Sequence, residues 1–183
     1  MIRFGQEGMK RILEILNEMK GKGLIDDYAI AGGIAAIYYS EAFLTRDLDF
    51  FVMINPKFIK GKIIDPSPIY SYFINLGYSW GKGEYKEHII VEDIPIEFFV
   101  ADSNLEKDAL NDAITIEFEG TKTKVLKLEY VIAICSKVKR DKDLYKISHL
   151  TEQCKIDKVF LDKILKKYNL YNPLDKKCGK HLR

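Results

Sequence analysis

Residues 45–52 read Thr-Arg-Asp-Leu-Asp-Phe-Phe-Val, and this octet restricts the fold more than any other stretch of the chain. Its Phe and Val content, closed by Asn55-Pro56, predicts a strand over residues 46–54. Side chains alternate along a strand, so Asp47 and Asp49 share one face while Leu48 and Phe50 occupy the other. Two neighbouring acids on a strand that soon turns apolar on both faces are costly unless water, a cation or hydrogen bonds compensate them. A divalent ion meets that need.

The rest of the pattern surrounds a small sheet with helices. Met9, Ile12, Leu13, Leu16 and Met19 recur at helical spacing and predict a first helix over residues 6–20, stopped by Gly21-Lys22-Gly23. Residues 28–31 read as a short strand, Gly32-Gly33 as its turn, and the Ala-rich residues 34–39 as a short helix. A helix is expected over residues 68–76, closed by Gly77. Strands over residues 85–92 and 94–101 form a hairpin around Asp93, and Trp80 in the loop before them is a packing anchor. A helix over residues 105–112 precedes a second hairpin, residues 114–119 and 122–126, around Glu119-Gly120-Thr121. From Leu128 onward the apolar spacing is helical, with stripes at Leu128, Val131, Ile132, Cys135 and Val138, at Leu144, Ile147 and Leu150, and at residues 156–168; the tail from Asn172 has no clear pattern. The expected architecture is α+β: a mixed sheet with flanking helices in residues 1–126, and a helical section in residues 127–183 that packs on it and closes one side of a cleft.

With 47% hydrophobic and 31% charged residues, a chain of 183 residues buries a real core, which excludes disordered and disulfide-scaffold classes. No apolar run approaches the roughly 20 residues that cross a bilayer. The opening Met1-Ile2-Arg3-Phe4-Gly5-Gln6-Glu7 lacks the basic-then-apolar order of a signal peptide, so a cytoplasmic protein is expected. Cys135, Cys154 and Cys178 are widely spaced and read as free thiols, while His88, His149 and His181 are scattered and read as surface or hydrogen-bonded histidines. Charge is more informative. Residues 1–119 hold 12 basic and 20 acidic side chains against 17 and 7 in residues 120–183, or −8 and +10. An acidic half that holds cations beside a basic half that holds phosphates or a polyanion is one reading; Lys-rich solvated helix faces are the other.

A third acid, Glu97, lies in Ile94-Pro95-Ile96-Glu97-Phe98-Phe99. Converging with Asp47 and Asp49, it completes an oxygen-rich site suited to Mg²⁺. Paired ions about 4 Å apart would stabilise the attacking and leaving oxygens of an in-line phosphoryl displacement. Pro95 argues the other way, for an edge strand or bulge with an ordinary exposed acid. Gly32-Gly33 fits a strand-to-helix turn whose bare backbone N–H groups approach a triphosphate, although a turn needing positive φ accounts for it equally. No P-loop or dinucleotide fingerprint occurs. Arg46 reads as a surface residue paired with an acid, and Arg140 stands three residues before Asp143, so an intrahelical ion pair competes with phosphate binding there.

The ordered set of Gly-Gly, short helix, Thr45-Arg46-Asp47-Leu48-Asp49 and a later strand carboxylate resembles the polymerase-β-type nucleotidyltransferase superfamily. More narrowly, it is similar to the small AbiEii/AbiGii-type nucleotidyltransferase proteins, some of which are toxins of toxin–antitoxin or phage-abortive systems. The resemblance spans roughly residues 28–150 and includes Lys139-Arg140-Asp141-Lys142-Asp143, which is similar to a basic R-x-K-D segment. It implies a nucleotidyltransferase-like fold and Mg²⁺-dependent transfer of a nucleotidyl group from an NTP to a hydroxyl or phosphate acceptor. It further implies that Asp47 and Asp49 bind metal, that Glu97 completes the catalytic site, and that Gly32, Gly33, Thr45, Arg140 and Lys142 serve the nucleotide. The basic C-terminal part favours a polyanionic acceptor such as tRNA over a cationic antibiotic. The alternative is a catalytically degenerate protein that binds nucleotide or an antitoxin-like protein partner.

Overall fold

The computed structural model describes residues 5–40, 45–61 and 63–174, so Cys178 and His181 lie outside the described residues. Helix α1 (Gln6–Gly21) buries Met9, Ile12, Leu13, Leu16 and Met19, the stripe its spacing predicts. It ends where Gly23 takes φ of +65°: the Gly23 N–H donates to the carbonyl of Lys20 and the Leu24 N–H to that of Met19, which satisfies the last-turn carbonyls. Strand β1 (Ile25–Ile30) follows, then α2 (Gly32–Tyr39) and β2 (Leu48–Ile54). A small separate hairpin, β3 (Ile59–Lys60) with β4 (Ile63–Ile64), leads into α3 (Ser67–Asn75). Strands β5 (Ser79–Trp80), β6 (Ile89–Val91) and β7 (Ile94–Val100), helix α4 (Asn104–Asn111) and the hairpin β8 (Ile114–Phe118) and β9 (Thr121–Val125) complete the sheet. Helices α5 (Leu128–Val138), α6 (Asp141–Gln153) and α7 (Lys158–Lys167) close the chain.

Among the described residues the sheet is seven-stranded and mixed, in the order β5-β6-β7-β2-β1-β9-β8. Strand β1 runs antiparallel to β2, while β7 runs parallel to β2 with Leu48 opposite Ile96 and Val52 opposite Val100. The α+β architecture with helices at the C-terminal end is thus the one the sequence implies. Several boundaries differ. The strand expected over residues 85–92 is reduced to Ile89–Val91, because a 3₁₀ turn at Gly83–Tyr85 runs on into turn and bend over residues 86–88 and Glu92 belongs to the hairpin turn. The hairpin between β6 and β7 turns on two residues, Glu92 and Asp93, both with positive φ, so Val91 pairs with Ile94. That two-residue turn moves the register by one relative to a turn centred on Asp93, and with it the face each side chain occupies.

Strand β7 is interior, not an edge as Pro95 suggests. The proline is tolerated because pairing with β2 begins at Ile96, one residue beyond it, so the missing N–H falls at the end of that ladder.

The alternation of β2 divides the molecule. Leu48, Phe50 and Val52 are fully buried in the core, whereas Asp49, Phe51 and Met53 belong to the other face. Phe50 meets Tyr28 edge-on at 5.9 Å and stacks on Phe98 at 6.0 Å, and α3 presses Phe73 and Tyr70 against the same Phe98 ring. Trp80 stacks on Tyr70 at 4.8 Å but lies in strand β5 rather than in a loop and stays 45% exposed, so it is a surface partner of Tyr70 rather than a buried anchor. No helix among the described residues is long and apolar enough to cross a membrane. Because Phe50 links two aromatic neighbours in a closed core, Phe50→Ala is expected to cost about 3–5 kcal/mol of unfolding free energy, read by urea denaturation.

Candidate active site

The acidic face of β2 opens into a cleft of about 380 Å³. One wall is the sheet, with Asp47, Asp49 and Phe51 from β2 and its approach and Glu97 and Phe99 from β7. The start of α2 forms one corner, and α5 and α6 supply the facing wall through Val131, Ile134, Val138, Lys142 and Lys146. Asp49 and Glu97 are register partners across the parallel β2–β7 pair, so their side chains rise from adjacent strands on one face. Asp47, in the bend just before β2, stands beside them.

The glycine pair is fitted to these acids. Gly32 has φ of +55°, and a Cβ there would lie 1.6 Å from Asp49 Oδ2. A Cβ on Gly33 would lie 2.5 Å from Thr45 Oγ1. Both positions therefore exclude a side chain for reasons of space, and Gly32 for reasons of backbone conformation as well. The Gly33 N–H points to Asp49 Oδ2 at 3.4 Å, and the Ala31 N–H donates to the Asp49 carbonyl at 2.9 Å. Thr45 donates its hydroxyl to Asp47 Oδ1 at 2.6 Å, which orients that carboxylate.

The electrostatics follow from crowding. Burial, then the neighbouring charge of Asp47, push the Asp49 carboxyl up to about 6; the Gly33 N–H opposes the shift, Glu97 adds to it and Lys146 offsets part. Glu97 is also raised, by burial first, with His88 and Lys142 pulling it back and Asp47 and Glu87 adding to the rise. Among the described residues, no group of three or more His, Cys, Asp or Glu side chains stands close enough together to hold a metal ion without moving. The donor set nonetheless suits a hard cation. Asp47, Asp49 and Glu97 offer carboxylate oxygens alone, and two of the three carry protonation shifts that a bound positive charge would reverse.

The basic residues divide into two groups. Arg140 is engaged with Asp143: its Nε donates to Oδ2 at 2.8 Å, its second terminal nitrogen to Oδ1 at 3.2 Å, and its backbone N–H to Oδ2 at 3.1 Å. Helix α5 ends at Lys139 in the left-handed conformation and α6 restarts from Arg140, so the pair caps a helix start rather than bridging one continuous helix. Lys137 bonds Glu106 at 2.9 Å, tying α5 to α4. Lys142 and Lys146, one turn apart on α6, line the cleft, and so does Arg140 while it holds Asp143. Arg46 is exposed. Lys146 escapes a reading centred on the 139–143 segment, although its i+4 spacing from Lys142 marks it as a neighbour. His88 escapes it too. Its ring nitrogen Nε2 lies 3.9 Å from Asp47 Oδ2 and 3.8 Å from Glu97 Oε2. Cys135 is buried and Cys154 half-buried, both as free thiols.

Residues 8–177 match a protein family described as "Nucleotidyl transferase of unknown function (DUF2204)". No curated protein matches the sequence. Among solved structures, an antigenic nucleotidyltransferase-like protein from Paracoccidioides brasiliensis is similar at a TM-score of 0.55 and 16% identity, over 88% of this chain and 87% of that one. The antibiotic-resistance factor ANT(2'')-Ia is similar at a TM-score of 0.50 and 13% identity, over 86% of this chain and 89% of that one. At these identities the two structures show a shared nucleotidyltransferase-like fold.

A carboxyl held near 6 in the fold destabilises the metal-free protein wherever it is ionised. In EDTA at pH 8, Asp49→Asn is expected to raise the unfolding free energy by roughly 2–3 kcal/mol, the difference between a carboxyl at about 6 folded and about 4 unfolded. The gain should shrink as pH falls below 6, where the wild-type carboxyl takes up its proton, and vanish near pH 4; urea denaturation across that range reads it.

Proposed function

We propose that this chain, which belongs to the nucleotidyl transferase family DUF2204, moves a nucleotidyl group from an NTP to a hydroxyl or phosphate acceptor and releases pyrophosphate. The observation that carries the reading is the close fit of Asp49 against Gly32, with Glu97 as its register partner and Lys142 and Lys146 across the same cleft. A structural acid needs neither the missing side chains around it nor facing lysines.

In this scheme Asp47 and Asp49 hold Mg²⁺, Glu97 completes the site, and Thr45 keeps Asp47 turned toward it. The bound ion supplies positive charge to the triphosphate oxygens and to the charge that develops during transfer. The bare turn at Gly32-Gly33 leaves room for the phosphate chain at the start of α2. Lys142 and Lys146 neutralise its outer phosphates, while Arg140 acts through Asp143 to set the start of α6. Glu97, whose proton affinity burial raises, accepts the proton of an acceptor hydroxyl. The acceptor oxygen then bonds to the α-phosphorus, the bond from that phosphorus to the β-bridging oxygen breaks, and the electron pair leaves with pyrophosphate. Phe51 and Phe99, in edge-on contact at 5.9 Å, give the cleft an apolar floor beside the acids.

For the acceptor, the +10 charge of residues 120–183 supports RNA, in a toxin-like setting of the AbiEii kind with an antitoxin-like protein as partner. Incubation of the protein with each labelled NTP, Mg²⁺ and total cellular RNA or protein tests the proposal. Label is expected in the RNA fraction, reduced at least about 10²-fold by Asp49→Asn. Transfer that survives Asp49→Asn would reject the mechanism, and NTP binding without any transfer would leave the degenerate alternative standing.

A further inference from the structure

His88 stands beside Asp47 and Glu97, outside the residues that line the cleft, and serves no purpose so far described. It immediately precedes β6, and the antiparallel count that sets Ile89 opposite Ile96 carries His88 onto Glu97. Since Glu97 in turn faces Asp49 across the β7–β2 pair, His88, Glu97 and Asp49 form one lateral row across β2, β7 and the residue before β6, and Asp47 Oδ2 lies 3.9 Å from the imidazole. The approach to β6 is held firmly: the Gly81 N–H donates to the His88 carbonyl at 2.8 Å, and the His88 N–H to that of Tyr85 at 2.9 Å. The Tyr85 ring meets the imidazole edge-on at 5.4 Å.

The side chain is only 12% exposed. Both ring nitrogens are buried and have no hydrogen-bond partner among the described residues. A buried imidazole is normally satisfied by an acceptor, a donor or a metal, since leaving its polar atoms unpaired costs free energy. Asp47 Oδ2 at 3.9 Å and Glu97 Oε2 at 3.8 Å stand near its Nε2, too far for hydrogen bonds. Two donors that share one ion, each about 2.1 Å from it, stand roughly 3–4 Å apart. Both separations fall at the upper end of that interval, and since among the described residues no three such side chains stand close enough to hold an ion as they are, these would draw together around it.

We infer that His88 supplies a nitrogen ligand to the cation held by Asp47 and Glu97, so that the site takes a first-row transition ion such as Mn²⁺ in preference to Mg²⁺. The inference rests on the proposed carboxylate site and adds to it a donor and a metal preference. Imidazole nitrogen suits transition ions, whereas Mg²⁺ favours oxygen and retains water, so one histidine among carboxylates shifts the balance without excluding either metal.

The test uses the full-length apo protein with Mn²⁺ or Mg²⁺ alone. Electron spin-echo modulation of the Mn²⁺-loaded wild type should show coupling to a histidine nitrogen, and this should change when the protein's histidines carry the heavier nitrogen isotope. In His88→Gln the coupling should disappear and Mn²⁺ affinity, read by calorimetry, should fall by about tenfold or more while Mg²⁺ affinity changes little. Asp49→Asn should weaken both metals. Mn²⁺ bound in an Asp49-dependent way with no histidine coupling, or with a Mn²⁺-to-Mg²⁺ ratio unchanged by His88→Gln, would overturn the role of His88 and leave the carboxylate site intact. A wild type that binds neither ion would overturn both. Should His88→Gln fail to fold, the isotope effect is read in a His149→Gln, His181→Gln background, where His88 is the one histidine left, and its absence there overturns the role of His88.

Discussion

The contact between the Asp49 carboxylate and the start of α2 governs the rest of the structure. With Oδ2 only 1.6 Å from where a Gly32 Cβ would sit, the strand and the helix approach each other through space that any other residue would fill. That approach fixes where α2 leaves the sheet, and the β2–β7 register then fixes where Glu97 rises beside Asp49. The resulting crowd of like charges is unfavourable in isolation, as the upward shifts of Asp49 and Glu97 show. The fold tolerates it because the opposite face of β2 is so well packed: Leu48, Phe50 and Val52 are fully buried, and three aromatic rings join Phe50 in the core. One strand thus carries stability on one side and chemistry on the other, a division that only a two-residue period permits.

The facing wall follows the same economy. Helices α5 and α6 present the apolar Val131, Ile134 and Val138 together with Arg140, Lys142 and Lys146 to the cleft, and part of the charge in this region also holds helices together. Arg140 with Asp143 starts α6, and Lys137 with Glu106 joins α5 to α4. Arg140 thus both starts a helix and lines the cleft, and with its guanidinium held by Asp143 the charge available to a ligand is smaller than the count of basic residues suggests.

Much of this was legible in the residues. The alternation of Asp47-Leu48-Asp49-Phe50 located the acidic strand and its buried face, and the apolar spacing of α1 and α5 located their buried stripes. What escaped depended on register. A hairpin centred on Asp93 sends His88 to the wrong face, whereas the two-residue turn at Glu92-Asp93 brings it opposite Glu97. Neither turn residue is glycine or asparagine, so the sequence carries no strong sign of the positive φ that both adopt. Pro95 misdirected the placement of β7 for a related reason: whether a proline is tolerated depends on where the neighbouring ladder begins, which is a property of the partner strand. Strands of two residues, such as β3, β4 and β5, hold no period to detect.

The claim on which the account depends is that the carboxylates beside the glycine turn form a cation-dependent nucleotide site. Isothermal titration of the protein with ATP, CTP, GTP and UTP, each with and without Mg²⁺, tests it most directly when repeated on Asp47→Asn. The account predicts saturable binding of at least one NTP that requires the metal and is lost in the variant. Binding indifferent to both metal and substitution, or no binding of any NTP, would contradict it.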